Sequence, residues 1–280
     1  MADYQDILYD VDDHVATITL NRPDKLNAWT RQMEAEVRQA MAAAAGDADA
    51  RVIVLTGAGR GFCAGADMSL LQGVESTTDE ARAVADRAAM AASPIPDALD
   101  LPEDFSLRYT YFPSVPKPII AAVNGPCAGL GMVMALYADI RFAAEEAFFT
   151  TAFARRGLIA EHGIDYMLPR LIGLPNALDL LLSARKVSAN EAHHMGLVNQ
   201  VFPLASFMDD VRAYAGDLAH AVSPRSMRVM KEQLYRTLAR RLGEAVEFGN
   251  REMVKSFDSE DFKEGVAHFI EKRTPAFTGR

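Results

Sequence analysis

The hydrophobic pattern of the chain alternates between strand-like and helix-like stretches up to about residue 202, and only helix-like stretches follow. Short apolar or β-branched runs bounded by turn residues predict strands. They lie at 7–9, 14–20, 51–56, 118–123, 139–143, 147–151 and 197–202. Longer alanine-rich or amphipathic stretches predict helices. They lie at 30–45, 80–92, 105–112, 129–138, 163–172, 174–183, 188–196, 204–220, 224–240, 243–257 and 259–271.

This order of elements predicts an α/β protein with stacked sheets and a helical appendage. We place the core domain at 1–202 and the all-helical region at 203–280. The segment 73–116 stands apart because it clusters prolines and acidic residues. That composition predicts an extended surface segment, which we interpret as a lid over a binding site.

The stretch 119–138 contains twenty residues whose only polar side chains are Asn124 and Tyr137, so its length matches a membrane span. Asn124-Gly125-Pro126 is a turn signal in its middle, and a proline there breaks a helix. We therefore predict a strand, a turn and a buried helix that begins near Gly129. A helix N-terminus with glycines can bind a negative oxygen. Close packing of helix on strand explains the same glycines equally well.

Composition and charge narrow the classes of function. Half of the 280 residues are apolar and 24% are charged, as in a soluble globular protein. The net charge of −9 argues against a nucleic-acid partner. The acidic start of the chain does not resemble a signal peptide, and there are only two cysteines, so we expect a cytoplasmic protein with free thiols. No metal-binding spacing is present, and we expect no metal site.

The loop at 57–61 is rich in glycine but does not have the spacing of a nucleotide site. It is G-x-G-x-G, no helix start follows at once, and no Gly-Lys-Ser/Thr is present. A tight turn after the preceding strand is the better interpretation.

Two stretches together resemble the signatures of the crotonase (enoyl-CoA hydratase/isomerase) superfamily. They are Gly59-Arg60-Gly61-Phe62-Cys63-Ala64-Gly65-Ala66-Asp67-Met68 and Ala122-Val123-Asn124-Gly125-Pro126-Cys127-Ala128-Gly129-Leu130-Gly131. The resemblance extends over nearly the whole chain. It implies a spiral of ββα turns with a C-terminal all-helical trimerisation region. It also implies an acyl-CoA substrate, no separate cofactor, and a homotrimer or a hexamer built as a dimer of trimers.

The resemblance also assigns residues. The family's oxyanion hole maps onto the backbone N–H groups of Ala66 and Leu130. CoA is expected along Lys25, Leu26 and Ala28, and its adenine end near Phe269 and Lys272, often of a neighbouring subunit. The remaining positions assigned to substrate binding are Ala64, Asp67, Met68, Gly129, Val133 and Phe153. For Asp67 a turn or N-cap role is preferred to a catalytic one, and Lys25 and Lys272 have the alternative of a solvated surface charge.

The acid that does the chemistry is expected to be Glu161. Typical hydratases of the family carry two glutamates, but the matching positions here are Val133 and Phe153, which cannot transfer a proton. The run Gly157-Leu158-Ile159-Ala160-Glu161-His162-Gly163 instead resembles that of Δ3,Δ2-enoyl-CoA isomerases. One carboxylate suffices for a proton shuttle, and an apolar pocket would raise its pKa. Glu161 has the alternative role of helix cap, and His162 is the second candidate.

Three hypotheses about function follow. The first is isomerisation of a double bond with Glu161 as the single acid and base. The second is a hydratase or dehydratase in which Glu161 alone directs water. The third is a catalytically silent CoA-binding oligomer. An apolar pocket wall is expected from Met68, Leu71, Met132, Val133 and Phe153.

Overall fold

The computed structural model describes residues 4–68, 70 and 93–280, and the predicted helix at 80–92 and residue Leu71 lie outside them. The strands are β1 (Ile7–Asp12), β2 (Val15–Leu20), β3 (Val52–Gly57), β4 (Ile119–Val123), β5 (Cys127–Ala128), β6 (Ile140–Ala144), β7 (Phe148–Thr150), β8 (Val187–Ser188) and β9 (Gln200–Phe202). The helices of the described residues are α1 (Arg31–Gly46), α2 (Leu130–Tyr137), α3 (Ile164–Ser183), α4 (Ala189–His194), α5 (Phe207–Ala221), α6 (Pro224–Thr237), α7 (Leu242–Asp258) and α8 (Glu260–Glu271). The predicted α/β class with a helical C-terminal region is confirmed.

The main sheet has six strands in the order β1-β2-β3-β4-β6-β9. β1 and β2 form an antiparallel hairpin, and every other pair in this sheet is parallel. Asp13 and His14 connect the hairpin with φ values of 46° and 65°, as a two-residue turn of this hand requires. A second sheet has three strands in the order β5-β7-β8. The prediction of two sheets is therefore confirmed, and their stacking stays a prediction.

Side chains of one strand alternate between two cores. Ile53 and Leu55 of β3 pack in the larger core, together with residues of α1, α2 and α3. Val52 and Val54 pack in a smaller core against Phe207 and the other apolar residues of α5. Helices therefore cover both faces of the sheet, and this explains why β3 and β4 are continuous apolar runs.

The helix predicted at 105–112 is wrong. Single 3-10 turns at Glu103–Ser106 and Phe112–Ser114 occupy this region. Ser106 and Thr110 use their hydroxyl groups to hydrogen-bond to nearby backbone carbonyls, which competes with helix formation.

Two further boundaries show how glycine ends an element. The predicted strand at 197–202 is shorter, because Leu197 N donates to Ala192 O at 2.8 Å and closes the end of α4 after Gly196. The predicted break between helices at 172 and 174 is confirmed, since Gly173 has φ 75° and ψ 158° inside α3. Ser188 caps α4 through the Glu191 amide as predicted.

The stretch 119–138 folds as β4, a turn with β5, and α2. Within the described ranges, no helix is both long enough and apolar enough to cross a membrane. After β9 the chain is helical, as predicted from residue 203, although α5 packs directly on the main sheet. α6 is joined to the core by Lys231, whose ammonium lies 2.7 Å from Asp139 Oδ2.

Candidate active site

The two glycine-containing stretches lie side by side. Cys63 and Cys127 form a parallel bridge, and Ala128 N donates to Cys63 O at 2.9 Å. Phe62 N and Cys63 N both donate to Pro126 O, at 3.2 and 3.1 Å. Burial raises the pKa of the Cys63 thiol to about 12, so this cysteine is a packing residue rather than a nucleophile.

The glycines of these stretches are required for two different reasons. A Cβ on Gly131 would lie 2.4 Å from Cys63 O, so this position is glycine because the backbones pack closely. Gly129 instead has room for a Cβ, which would meet its nearest neighbours at 3.8 Å, but its φ is 50°. Gly65 also has a positive φ of 102°, and a Cβ there would lie 3.8 Å from the Gly129 Cα.

Ala66 and Leu130 therefore follow two adjacent glycines. Leu130 is the first residue of α2, where an amide has no partner within the helix. Among the described residues, none accepts a hydrogen bond from the amide of Ala66 or of Leu130. Two backbone donors on neighbouring segments, one at a helix N-terminus, are suited to a negative oxygen.

The loop that carries the predicted CoA contacts is joined to the Ala66 stretch by backbone hydrogen bonds. Ala64 N donates to Leu26 O at 2.9 Å, and Trp29 N donates to Gly65 O at 2.8 Å. Lys25 is exposed, and Leu26 and Ala28 are half-buried. The predicted residues Lys25, Leu26, Ala28 and Ala64 thus lie together on one rim of the site.

Asn27 organises this loop, and reasoning from the sequence did not give it a role. The residue is fully buried, and its backbone has a φ of 55°. Its amide nitrogen donates to Ala58 O at 3.0 Å and to Gly61 O at 2.8 Å, and its oxygen accepts from Arg22 N. Asparagine adopts the left-handed backbone conformation more readily than most residues. An asparagine within a predicted loop was therefore the signal from which this role could have been inferred.

Asp67 contacts Arg22, another residue to which the sequence assigned no function. Arg22 Nη1 lies 2.9 Å from Asp67 Oδ2 and 2.6 Å from Ala28 O. The preferred interpretation of Asp67 as a turn residue agrees with its carbonyl, which accepts from Leu70 N at 2.9 Å. Met68 is 63% exposed and stands at the edge of the described residues.

The segment that carries Glu161 runs alongside α2. At one end Gly129 N donates to Thr150 O at 3.0 Å, and at the other Tyr137 OH donates to His162 O at 2.8 Å. A Cβ on Gly163 would lie 2.5 Å from the Tyr137 hydroxyl, so this contact requires glycine. Burial, with smaller contributions from Asp165 and Tyr166, raises the pKa of Tyr137 to about 12, and the hydroxyl therefore stays a donor.

The Glu161 carboxylate lies next to the ring of His162. Their closest atoms, Oε2 and Nε2, are 3.6 Å apart, and both side chains are about one third exposed, at 35% and 34%. The N-cap of α3 is Gly163, which has no side chain of its own to cap the helix. Glu161 lies two positions before it, so the alternative role of a carboxylate beside the helix N-terminus stays a prediction. The backbone of Glu161 accepts from Ile164 N at 3.2 Å.

A cavity of about 380 Å³ opens beside this segment. It is lined by Pro102, Asp104, Phe105, Leu107, Arg108, Tyr109, Thr110, Tyr137, His162, Gly163, Tyr166, Met167, Leu238 and Ala239. Of the residues predicted as a pocket wall, Met132, Val133 and Phe153 are buried within the larger core. None of them lines this cavity, and their role in an acyl pocket stays a prediction.

Phe269 and Lys272 lie at the end of α8, in the helical C-terminal region. Phe269 is 80% exposed, and Lys272 ends the helix with φ 54°. Across residues 4–68, 70 and 93–280, no group of three or more potential metal ligands comes together.

Comparison with known proteins places these features in context. The family model for enoyl-CoA hydratase/isomerase matches residues 10–280. A probable enoyl-CoA hydratase of Rhodobacter capsulatus is 37% identical over 99% of both chains. The 1,2-epoxyphenylacetyl-CoA isomerase of Escherichia coli is 33% identical over 98% of both chains. The crystal structure of enoyl-CoA hydratase subunit I from Geobacillus kaustophilus matches with a TM-score of 0.86, 33% identity and full coverage of both chains.

Proposed function

Because this chain belongs to the enoyl-CoA hydratase/isomerase family and has the crotonase fold, we propose that it moves the double bond of an enoyl-CoA thioester. Glu161 is the single acid and base in this proposal. The supporting observation is the side-chain chemistry at three positions. Val133 and Phe153 occupy the positions where the family resemblance leads us to expect acids, and neither can transfer a proton. Glu161 is a carboxylate on the segment beside α2.

The proposed reaction conserves every atom. The Glu161 carboxylate removes a proton from C2 of a 3-enoyl thioester, and the electron pair moves toward the thioester oxygen. The amides of Ala66 and Leu130 donate to that oxygen and stabilise the enolate, and one such donor is worth about 3 kcal/mol of barrier. The protonated Glu161 then returns the proton to C4, which leaves the 2-enoyl thioester and the original carboxylate.

Electrostatics and loop structure support this assignment. α2 directs the positive end of its dipole at the proposed oxyanion, and no described acidic residue occupies its first turn. Lys25 is exposed on the rim, where its charge can attract the phosphates of CoA. CoA is part of the substrate, so we propose that no further cofactor is needed.

Hydration is the second candidate, and the name of the Rhodobacter relative, a probable enoyl-CoA hydratase, favours it. The Escherichia coli relative is named an isomerase, which favours the first. In the hydratase case Glu161 alone would direct a water to C3.

Mass spectrometry separates the two reactions. The dialysed protein is incubated with a 3-enoyl-CoA and, separately, with a 2-enoyl-CoA. Hydration adds one water to the mass. Isomerisation leaves the mass unchanged and is detected by the ultraviolet absorbance of the conjugated 2-enoyl thioester that forms from the 3-enoyl-CoA. We expect Glu161→Gln to lower the rate of the double-bond shift by about 100-fold or more, because the proton carrier is lost. Glu145→Gln is the matched control, since Glu145 is an exposed glutamate in the turn after β6. Full activity of Glu161→Gln would refute the assignment.

We also propose that the chain assembles as a homotrimer or as a dimer of trimers. Apolar side chains exposed on α6, α7 and α8 support this proposal because such a surface is usually covered. They include Met230, Leu234, Leu242, Val246, Met253, Val254, Phe257, Phe262, Val266, Phe269 and Ile270. Light scattering coupled to size-exclusion chromatography tests it, and a monomer at micromolar concentration would contradict it.

A further inference from the structure

His162 has a backbone conformation that few residues other than glycine adopt. Its φ is 57°, and Gly163 follows with φ 74°, so two consecutive left-handed residues turn the chain into α3. The carbonyl of His162 accepts from the Tyr137 hydroxyl at 2.8 Å, and the carbonyl of Glu161 accepts from Ile164 N at 3.2 Å. Such conformations persist where the surroundings hold them, and they are frequent at functional sites. The backbone beside Glu161 is therefore held by its neighbours.

The ring of His162 contacts the side chains of both Glu161 and Tyr109. Its Nε2 lies 3.6 Å from Glu161 Oε2, a separation longer than a hydrogen bond. The rings of His162 and Tyr109 meet edge to face, with centroids 4.5 Å apart and planes at 65°, an arrangement that stabilises aromatic pairs. Tyr109 is the most buried of the three residues, at 6% exposed. Its ring thus limits where the imidazole can lie, and the imidazole limits the space open to the carboxylate.

Tyr109 is held in turn by α1. Its hydroxyl donates to Glu34 Oε2 at 3.0 Å. The guanidinium of the neighbouring Arg108 donates to both oxygens of the same carboxylate, and its Cζ lies 4.9 Å from the centroid of the Tyr109 ring. A bidentate pair of this kind is strong and fixes orientation, and the Glu34 side chain is only 13% exposed. Single 3-10 turns flank Arg108 and Tyr109, so contacts between side chains determine where Tyr109 lies.

We propose that Tyr109 and His162 are positioning residues for the Glu161 carboxylate, and that Glu34 anchors them to α1. The inference rests on the proposed function, which gives Glu161 its role as acid and base. A side chain that is one third exposed can adopt several rotamers, and proton transfer requires one of them. A displacement of about 1 Å from the productive geometry can lower a rate by about 100-fold. The imidazole beside Glu161 reduces that freedom without contacting the substrate.

The test compares kcat with KM in the full-length protein, with whichever of a 3-enoyl-CoA and a 2-enoyl-CoA it converts faster. Loss of a positioning residue lowers kcat and leaves KM nearly unchanged, because the reacting geometry is affected and the CoA contacts are not. We expect Tyr109→Leu and His162→Asn each to lower kcat by about tenfold and to change KM by less than about twofold. Asparagine suits the left-handed conformation, and His162 is partly exposed, so His162→Asn is expected to fold even where Tyr109→Leu does not.

Tyr109→Phe separates the ring from the hydroxyl. It keeps the ring against His162 and leaves the pair of Arg108 with Glu34 in place. We therefore expect kcat of Tyr109→Phe to stay within about threefold of the native value. A loss as large as that in Tyr109→Leu would overturn the role of the ring contact.

The matched control is Tyr214→Leu. Tyr214 of α5 packs edge to face with Phe142 at 5.0 Å, in the smaller core, so this variant breaks a similar ring pair away from the proposed site and is expected to keep the native kcat. The double variant Tyr109→Leu with His162→Asn is expected to have a kcat no more than about twofold below that of the slower single variant, because either change removes the same contact. Losses that multiply to about 100-fold would overturn the proposal.

Failure of this inference differs from failure of the proposed function. If Glu161→Gln is inactive while folded Tyr109→Leu and His162→Asn keep the native kcat, the positioning role is overturned and the acid–base role stands. Full activity of Glu161→Gln would instead refute the acid–base role, and the positioning role with it. Circular dichroism of each variant shows whether it is folded.

Discussion

The guanidinium of Arg22 and the carboxylate of Asp67 join the proposed CoA loop to the proposed oxyanion loop. Arg22 Nη1 lies 2.9 Å from Asp67 Oδ2 and 2.6 Å from Ala28 O, so one nitrogen serves both loops. The side chains of Arg22 and Asp67 are only 23% and 19% exposed, which limits screening by water. Asp67 directly follows Ala66, so the ion pair fixes the position of the amide that we assign to the oxyanion.

We predict that Asp67→Asn destabilises the fold modestly and lowers kcat more than it raises KM. Asparagine keeps the shape but removes the charge, and a hydrogen bond to a charged group contributes about 1.5–3 kcal/mol. If the Ala66 amide shifts, transition-state stabilisation is lost while most CoA contacts remain. Urea unfolding and steady-state kinetics measure both effects. Asp179→Asn, in the more exposed pair with Arg185, is expected to change stability by less than about 0.5 kcal/mol. An unchanged kcat in Asp67→Asn would argue against the coupling.

We predict that Gly131→Ala strongly destabilises the protein, whereas Gly216→Ala does not. The new methyl group at 131 would lie 2.4 Å from Cys63 O and 2.7 Å from its Cβ, so the two glycine stretches must separate. Such overpacking costs about 1–3 kcal/mol, and it also displaces the amide donors. Gly216 lies in α5 with no heavy atom within 4 Å of a new Cβ, so alanine there is expected to stabilise by about 0.5–1 kcal/mol. Thermal unfolding of both variants checks the contrast, and similar melting temperatures would contradict it.

We predict that Lys231→Met is costly because it leaves a buried charge. Lys231 is 7% exposed, and its ammonium lies 2.7 Å from Asp139 Oδ2 and 2.9 Å from Lys117 O. Removing one partner of a buried pair costs about 3–5 kcal/mol. Denaturant unfolding measures this loss. Lys255→Met on α7 is the control, because the Lys255 side chain is exposed although its partner Glu252 is not, and the expected loss is under about 1 kcal/mol.

The double variant Lys231→Met with Asp139→Asn tests whether the unpaired charge of Asp139 causes the loss of stability. Asparagine at 139 removes the unpaired charge. Its amide oxygen can accept from Ile119 N, and its amide nitrogen can donate to the Tyr235 hydroxyl, which in the native protein donates to Asp139. We therefore expect it to recover at least half of the lost stability. A double variant that is less stable than Lys231→Met alone would show that the uncompensated charge is not the cause.

Most of the fold was predictable because its elements have local signals. The strand–turn–helix at 119–138 follows from apolar runs interrupted by Asn124-Gly125-Pro126, and the break at Gly173 follows from its neighbours. The 105–112 region was not predictable in this way. Its sequence permits a helix, and hydrogen bonds from Ser106 and Thr110 to nearby carbonyls decide against it.

The site was predictable where motif residues carry it and not where distant residues meet. The adjacency of Gly65 and Gly129 agrees with the two signature stretches. The contact of Arg22 with Asp67 spans 45 positions of sequence, and the cavity wall combines segments that are far apart in the chain. Neither has a local pattern, because both are produced by tertiary packing.

We predict that Lys117 makes the stability of the protein increase with pH between about 8 and 10.5. Burial lowers the pKa of Lys117 from its ordinary value of 10.5 to about 8, while Asp47 partly opposes the shift. Between these values the unfolded chain binds a proton that the folded protein does not, so the free energy of unfolding rises with pH. A neutral amine keeps its hydrogen bonds to the carbonyls of Ala44 and Asp47, each at 2.5 Å. Relative to Lys117→Met, the native protein should gain about 1–2 kcal/mol over this window, with allowance for partial solvent screening. Urea unfolding at matched pH values measures the difference, and a difference that stays constant or shrinks as the pH rises would contradict the prediction.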